Sequence, residues 1–473
     1  MDINDFKTVL FKNSSFKLNL SQRLALAEIT NFLFLKGNNS IFILKGYAGT
    51  GKTSLIALIV NNLYKISYKT RIIAPTGRAA KVLSGYSKKN AYTIHKQIYF
   101  SKTEDGGTLS FKIKPNKYEK TVFIVDESSM ISDDEIKQNS NSKLSLLVDL
   151  IKYVDSGIEC KIIFVGDPLQ LPPVNSDISP ALDRFNLEQK FKKDVYEFEL
   201  EEVVRQEKKS MVLINALNIR DCINSRNFIE FKFLVNNDNV VHLEQDEIFD
   251  NLEYRMNIKD LSETIVIVYS NKRAFQYNSQ IRSKILSLES DLSVGDQLMV
   301  VKNNYYWLSP NSIPGFIANG DIIKVLEIIS YHDLYEFKFA KVIVKLIDYP
   351  NEDEFETILL LSVLNSENPS LNYEESNKFY KEVHKDYSNI KSKYKKYLEI
   401  KNNPFFNALQ VKYSYAITCH KAQGGQWKNV FLEQPYLKDG LNKAYFRWLY
   451  TAFTRSKKRV YLIGFNRNVV KKL

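Results

Sequence analysis

The chain has 473 residues and a formal net charge of +12, with 66 Lys and Arg against 54 Asp and Glu. At roughly 150 residues per domain such a length holds two to four domains, which excludes a small binding module. With 44% hydrophobic and 25% charged residues the balance is that of an ordinary globular protein, not of a collagen or a low-complexity chain. The excess positive charge suits a polyanionic partner such as nucleic acid.

The apolar runs, such as residues 41–44 and 358–363, fall far short of the roughly 18 residues that span a bilayer. The N-terminus has neither the cationic flank nor the apolar stretch of an export signal, so the expectation is a soluble, cytoplasmic protein with no membrane contact. Cys160, Cys222 and Cys419 are scattered without C-x-x-C spacing, which speaks against a disulfide framework or a structural zinc site.

In chain order, residues 41–44 read as a short buried strand ending at Gly46, and Leu55, Ile56, Leu58, Ile59 and Leu63 recur at helical spacing. Between them stands Gly46-Tyr-Ala-Gly-Thr-Gly51-Lys52-Thr53, a G-x-x-x-x-G-K-T phosphate loop in its strand–loop–helix setting. Glycines let backbone N–H groups close around a β-phosphate, and the helix N-terminus adds a favourable dipole. Lys52 neutralises β- and γ-phosphate charge, and the Thr53 hydroxyl can ligate Mg2+. Residues 97–113 alternate as two strands about Asp105-Gly-Gly107, a hairpin pattern. A second apolar strand, residues 121–125, ends in Asp126-Glu127. Asp126 is placed to hold Mg2+ and Glu127 to polarise the attacking water. A third, residues 161–165, runs into Gly166-Asp-Pro-Leu-Gln170-Leu-Pro-Pro-Val174, where Gly and Pro explain a stiff turn but not Gln170. Residues 265–269, followed by Ser270-Asn271-Lys272, open a second α/β unit. Residues 293–410 interrupt it, β-rich at first, then lysine-rich and helical in pattern over 378–401, with Tyr380, Tyr387, Tyr394 and Tyr397 interleaved.

The phosphate loop, Asp126-Glu127-Ser-Ser and the 166–174 segment together resemble motifs I, II and III of superfamily 1 helicases, most closely the RecD-like and Dda-like branch. Further segments follow in that family's order: Leu20-Ser-Gln22, Ala74-Pro-Thr76 through Lys81, Thr93-Ile-His95, Glu202-Val-Val-Arg205-Gln206, Thr418-Cys-His420-Lys421-Ala-Gln423-Gly-Gly425, and Tyr450-Thr-Ala-Phe-Thr-Arg455. The resemblance runs from about residue 18 to residue 464. It implies an α/β fold of two RecA-like P-loop motor domains with an inserted β-hairpin, the pin, and an inserted SH3-like β-barrel. By that likeness, residues 1–96 and 121–260 make the first motor domain, with a helical tail at 207–260, and 97–120 make the pin. Residues 261–292 and 411–473 then make the second motor domain, and 293–410 the barrel with a basic helical extension.

The resemblance also implies roles. Lys52, Glu127, Gln170, Arg205 and Arg455 form the catalytic set, the two arginines acting on the γ-phosphate from either side of the cleft between motor domains. Only 14 of the 66 cationic side chains are arginine, so one kept in such a motif is expected to serve through its planar, phosphate-matching fork. Gln22 resembles the adenine-reading glutamine. It joins Gly46, Ala48, Gly49, Thr50, Gly51, Lys52, Thr53, Ser54, Gly425 and Arg455 as the nucleotide-binding set, with Thr53 and Asp126 on the metal. Thr76, His95, Asn271, Thr418, His420 and Lys421 resemble backbone contacts to DNA, and Tyr99, Phe100 or Phe111 in the pin are candidates to stack on a base. Gln426 stands where relatives often have a ribose-binding glutamate, which leaves the preference for ATP over dATP open. The implied function is an ATP- and Mg2+-dependent DNA helicase that translocates 5′ to 3′ on single-stranded DNA and unwinds duplex DNA. A DNA-dependent ATPase that remodels protein–DNA complexes without processive unwinding, and an RNA helicase, are the alternatives. Expected partners are single-stranded DNA and single-strand/double-strand junctions. A monomer is expected, with room for single-strand-binding, repair or replication proteins beside it.

Overall fold

The computed structural model describes residues 1–103, 109–134, 136–139, 142–174, 176–203, 210–236, 238–256, 261–309, 312, 314–349, 352–438 and 440–472, with backbone alone at 101–103, 109–110, 136–139 and 142–144. Its contacts divide the chain into two units: Met1–Ser101, Phe111–Lys209 and Lys443–Thr451 in the first, and Lys102–Ser110, Ser210–Asn442 and Ala452–Leu473 in the second.

The first unit is built on six strands in the order Asp194–Leu200, Ser40–Gly46, Lys161–Gly166, Thr121–Val125, Lys69–Ala74 and Ala91–Thr93. Every neighbouring pair is parallel. The central strands are continuous apolar runs because both faces of the sheet are covered, and alternate side chains enter opposite cores. Phe42, Leu44, Val122, Ile124, Ile163 and Val165 lie in one, and Ile41, Ile43, Phe123, Val125, Ile162 and Phe164 in the other. Parallel pairing places all the strands' C-terminal ends on one edge, where the functional loops begin.

The second unit has five parallel strands in the order Val240–Leu243, Ser456–Ile463, Trp427–Glu433, Thr264–Val268 and Ala416–Thr418. It also holds a closed five-stranded barrel of Gln297–Val300, Ile322–Leu334, Phe337–Leu346, Phe355–Leu360 and Leu409–Tyr413. The helices Tyr373–Asp386 and Lys393–Asn402 bury Phe379, Val383 and Ile400 against Phe339 and Leu360 of the barrel. Tyr380 and Tyr387 join that apolar cluster while Tyr394 stays exposed, so two of the four interleaved tyrosines are packing residues. Tyr99–Thr103 and Leu109–Ile113 form a two-stranded sheet, and the Asp105-Gly-Gly107 turn lies outside the described residues.

Two segments fall elsewhere than the sequence suggested. Residues from Ser210 onward, expected as a helical tail of the first motor domain, belong to the second unit. Val240–Leu243 pairs in parallel with Ser456–Ile463 and so becomes an edge strand of the second sheet. Conversely Lys443–Thr451, expected in the second motor domain, belongs to the first unit, held by side-chain hydrogen bonds described below. Among the described residues no helix is long and apolar enough to cross a membrane.

At the root of the barrel, Arg282 and Asp296 make a buried two-pronged ion pair with Nε and Nη2 each 2.9 Å from a carboxylate oxygen. Tyr415 Oη donates to the same carboxylate, and the guanidinium lies over the Tyr413 ring at 4.4 Å. Removing one member leaves the other charge buried and uncompensated, a cost of about 3–5 kcal/mol. Arg282→Met is therefore expected to lower the unfolding free energy of the second unit by that amount in a urea titration, whereas breaking an exposed pair such as Lys378–Glu336 by Lys378→Met should leave it nearly unchanged.

Candidate nucleotide site and nucleic-acid contacts

Along the C-terminal edge of the first sheet the strand order sets the order of loops. The phosphate loop follows Ser40–Gly46, the Gln170 loop follows Lys161–Gly166, Asp126-Glu127 follows Thr121–Val125, Thr76 follows Lys69–Ala74, and His95 follows Ala91–Thr93. The parallel register pairs Lys45 with Gly166 and Phe164 with Val125, so the first three loops are neighbours.

The phosphate loop leads into the helix Lys52–Asn62, with Gly49 and Gly51 at φ of +82° and +86°. Those left-handed conformations are the reason for glycine at both positions. A Cβ on Gly46 would stand 2.8 Å from Thr50 Oγ1, which accounts for glycine there too. Lys52 Nζ donates to the carbonyls of Gly46 and Tyr47, the latter at 3.0 Å, an ammonium spending its protons on the loop's own oxygens. Gln22 is buried, its amide donating to Thr50 O at 3.1 Å and its oxygen accepting from Asn19 N–H at 3.2 Å in a capping box. Thr53 and Ser54 lie in the first turn of the helix, where free N–H groups and the dipole favour an anion.

Asp126 and Glu127 stand beside one another at their strand's end, and Glu127 takes φ +49°, a left-handed conformation rare outside glycine and concentrated at working sites. Burial, and next the Glu127 charge, push the Asp126 carboxyl up to about 7, with Lys52 pulling it back. A carboxylate so disfavoured is one that a divalent cation would restore to its charged form. Among the described residues no three His, Cys, Asp or Glu are grouped to hold a metal alone. A Mg2+ ion held by Thr53 and Asp126 would therefore also need oxygen ligands from phosphate and water, the usual manner of this ion. Gln170 is buried with its Oε1 lacking a hydrogen-bond partner, a costly arrangement that a polar ligand would relieve. Gly166 allows this loop to approach Ser129: a Cβ there would lie 3.2 Å from Ser129 N.

Of the proposed DNA contacts in this unit, Thr76 is the N-cap of the helix Gly77–Ser87, its hydroxyl accepting from Ala79 N–H. His95 is partly buried, with its ring 5.6 Å from Tyr99 and 5.7 Å from Phe111, and burial lowers its pKa. Tyr99 departs from the expectation of a base-stacking ring. It is a core residue whose hydroxyl donates to Asp149 Oδ2 at 2.8 Å, because its register turns it inward. Phe100, one position on, is exposed.

In the second unit, pairing of Val268 with Thr418 brings the ends of two strands together, so Asn271, Thr418 and Lys421 line one cavity. His420 is not among its lining residues. Lys412, on the barrel strand Leu409–Tyr413, also lines it, and no motif pointed to that residue. Burial lowers the pKa of His420 and Lys421 and, with the Lys421 charge, holds Lys412 down at about 8. Arg455 is buried, its fork donating to Gly425 O at 3.4 Å and Thr454 Oγ1 at 3.1 Å, which joins two expected nucleotide contacts within this unit. Arg205 lies outside the described residues.

A phosphate loop, a strand-end carboxylate pair and a buried glutamine on one parallel sheet, with a second parallel sheet carrying a barrel, define a P-loop nucleotide hydrolase with tandem α/β units. Residues 33–176 match the model of an AAA domain family and residues 413–463 that of the UvrD-like helicase C-terminal domain. The chain is 26% identical to the ATP-dependent DNA helicase Dda of enterobacteria phage T4, over 60% of this chain and 62% of that protein. It is 25% identical to the RecBCD enzyme subunit RecD of Buchnera aphidicola (subspecies Acyrthosiphon pisum), over 89% and 69%. A crystal structure of Bacteroides Pif1 helicase in complex with ADP-AlF3 and single-stranded DNA shares the fold at a TM-score of 0.50 and 16% identity, covering 97% of this chain and 95% of that one. These matches support the superfamily 1 helicase family, with Dda and RecD among the relatives.

The lowered pKa of Lys412 carries a sign. Between about 8 and the ordinary lysine value of 10.5 the unfolded chain holds a proton that the folded chain has released, so this group's contribution makes stability rise with pH across that window. Lys412→Met should flatten that rise in urea midpoints measured from pH 7.5 to 10.5, and an unchanged slope would show that Lys412 is not its source.

Proposed function

We propose that this helicase uses ATP and Mg2+ to move 5′ to 3′ along single-stranded DNA and to unwind duplex DNA at single-strand/double-strand junctions. The observation that carries this reading is the row of phosphate loop, Gln170 loop and Asp126-Glu127 along one sheet edge, matched by a second sheet whose edge gathers Asn271, Thr418 and Lys421 about a cavity. Bound Mg2+-ATP would supply the phosphoanhydride bond and the γ-phosphate charge. Lys52 would exchange its loop carbonyls for phosphate oxygens, and Thr53 and Asp126 would hold the cation. Glu127 would accept the proton of the attacking water, for which Gln170 and the planar forks of Arg205 and Arg455 provide donors toward developing charge. Gln22 and Gly425, both in the nucleotide set, would face the base and sugar.

On the nucleic-acid side, hydroxyl, amide and imidazole groups at Thr76, His95, Asn271, Thr418 and His420, with Lys421, suit phosphate and sugar, which fixes position without reading sequence. The exposed ring of Phe100 suits stacking at the base of the hairpin, which we read as the pin, and the barrel as the SH3-like insertion. The printed name of the relative Dda, an ATP-dependent DNA helicase, favours DNA over RNA.

The test is ATP-dependent strand displacement on matched duplexes with a 5′ or a 3′ single-stranded tail, beside an RNA equivalent. Displacement of the 5′-tailed DNA alone is expected. Displacement of the 3′-tailed duplex alone would overturn the polarity, and DNA-stimulated hydrolysis without displacement would favour a translocase. Lys52→Ala should abolish activity, and Glu127→Gln should lower kcat by at least about 100-fold while ATP still binds, the loss expected when a general base is removed.

A further inference from the structure

The helix Lys443–Phe453 presents Arg447, Tyr450 and Thr451, spaced i, i+3 and i+4, on one face, and all three are buried. Arg447 donates to Pro168 O at 2.6 Å and to Asp177 O at 2.8 Å. Thr451 Oγ1 accepts from Leu171 N–H at 2.8 Å, and Asp167 Oδ1 accepts from Leu169 N–H at 3.0 Å. Both neighbours of Gln170 are thereby fixed through their amides. A hydroxyl can give one hydrogen bond while taking others. Tyr450 Oη does both: it accepts from Ala48 N–H of the phosphate loop at 2.9 Å and donates to Asp167 Oδ2 at 2.8 Å. The loop that would carry the phosphates and the loop that carries Gln170 meet at this one oxygen.

We infer that Tyr450 is a positioning residue for nucleotide hydrolysis, its hydroxyl setting the spacing between the phosphate loop and the Gln170 loop. The inference rests on the reading of this site as an ATPase. Packing alone does not call for the hydroxyl, since a phenylalanine ring fills the same buried space. What phenylalanine cannot do is satisfy the Ala48 amide and the Asp167 carboxylate together. A misplacement of about 1 Å at such a site costs on the order of 100-fold in rate.

The experiment uses full-length Tyr450→Phe, Asp167→Asn and the double variant, with wild type and Lys52→Ala. ATP hydrolysis is followed across ATP concentration at saturating poly(dT), together with thermal unfolding. Tyr450→Phe is expected to lower kcat by roughly 10- to 100-fold with KM for ATP changed less than about threefold, the split that marks an interaction used in the chemical step. The double variant should be no slower than the slower single variant, because both break the same link. An unchanged kcat, a KM effect in place of a kcat effect, or losses that multiply in the double variant would overturn the inference, whatever the change in melting temperature. Wild type hydrolysing no faster than Lys52→Ala would overturn the ATPase reading itself and this inference with it.

Discussion

A phosphate loop is backbone that must be held open around a ligand, and here three side chains from three separate elements hold it. Lys52 reaches back to the carbonyls of Gly46 and Tyr47, Gln22 donates to Thr50 O, and Tyr450 accepts from Ala48 N–H. A loop with glycines at positive φ has little intrinsic preference for one shape, so its shape comes from these side-chain bonds, two of them from outside the loop. The sheet depends on the same arrangement. The parallel register of Ser40–Gly46 against Lys161–Gly166 brings the Gln170 loop alongside, while the missing Cβ leaves room at Gly46 for Thr50 Oγ1 of its own loop and at Gly166 for Leu182 and the Ser129 amide.

The electrostatics of the two units are complementary in kind. In the first, burial and a neighbouring carboxylate disfavour the charge on Asp126, a deficit that a cation would correct. In the second, burial disfavours the charges on His420, Lys421 and Lys412, a deficit that an anion would correct. Each set of groups is less comfortable alone than beside a ligand of opposite sign, and Gln170, buried with its Oε1 unpartnered, adds the same kind of strain in neutral form. That is the physical mark separating these side chains from the many solvated lysines of the surface, whose pairs, such as Lys378 with Glu336, are exposed and cheap.

What could be read from the sequence was chiefly what is local. The phosphate loop and the strand-end Asp126-Glu127 need particular residue types within a few positions, and apolar runs on either side fix their context. Placement of whole segments was less legible, because it depends on pairing across hundreds of residues. Val240–Leu243 has nothing in its own sequence to say that it pairs with Ser456–Ile463, nor does Lys443–Thr451 announce its bonds to the Gln170 loop. Tyr99 shows the same limit at one side chain. Alternation marks a strand, yet which of two adjacent aromatics turns inward follows from where Asp149 stands on another helix. Lys412 left no signal at all, being one lysine among many until the strand order set it beside Thr418 and Lys421.

Arginine is where the sequence argument and the structure inform each other most. Scarce arginines in a lysine-rich chain do mark places that need a planar fork with fixed donor directions. In the structure several such places are architectural. Arg282 spends its fork on Asp296 at the root of the barrel, and Arg447 spends its own on two backbone carbonyls flanking the Gln170 loop. Arg455 holds Gly425 O and Thr454 Oγ1. A lysine could carry the charge at any of these sites but lacks the flat fork that fixes the directions of its donors, so rarity identifies geometry, and the neighbours decide its use. For Arg447 that use lies next to the chemistry: by fixing Pro168 O and Asp177 O it steadies the same loop whose position the Tyr450 hydroxyl sets.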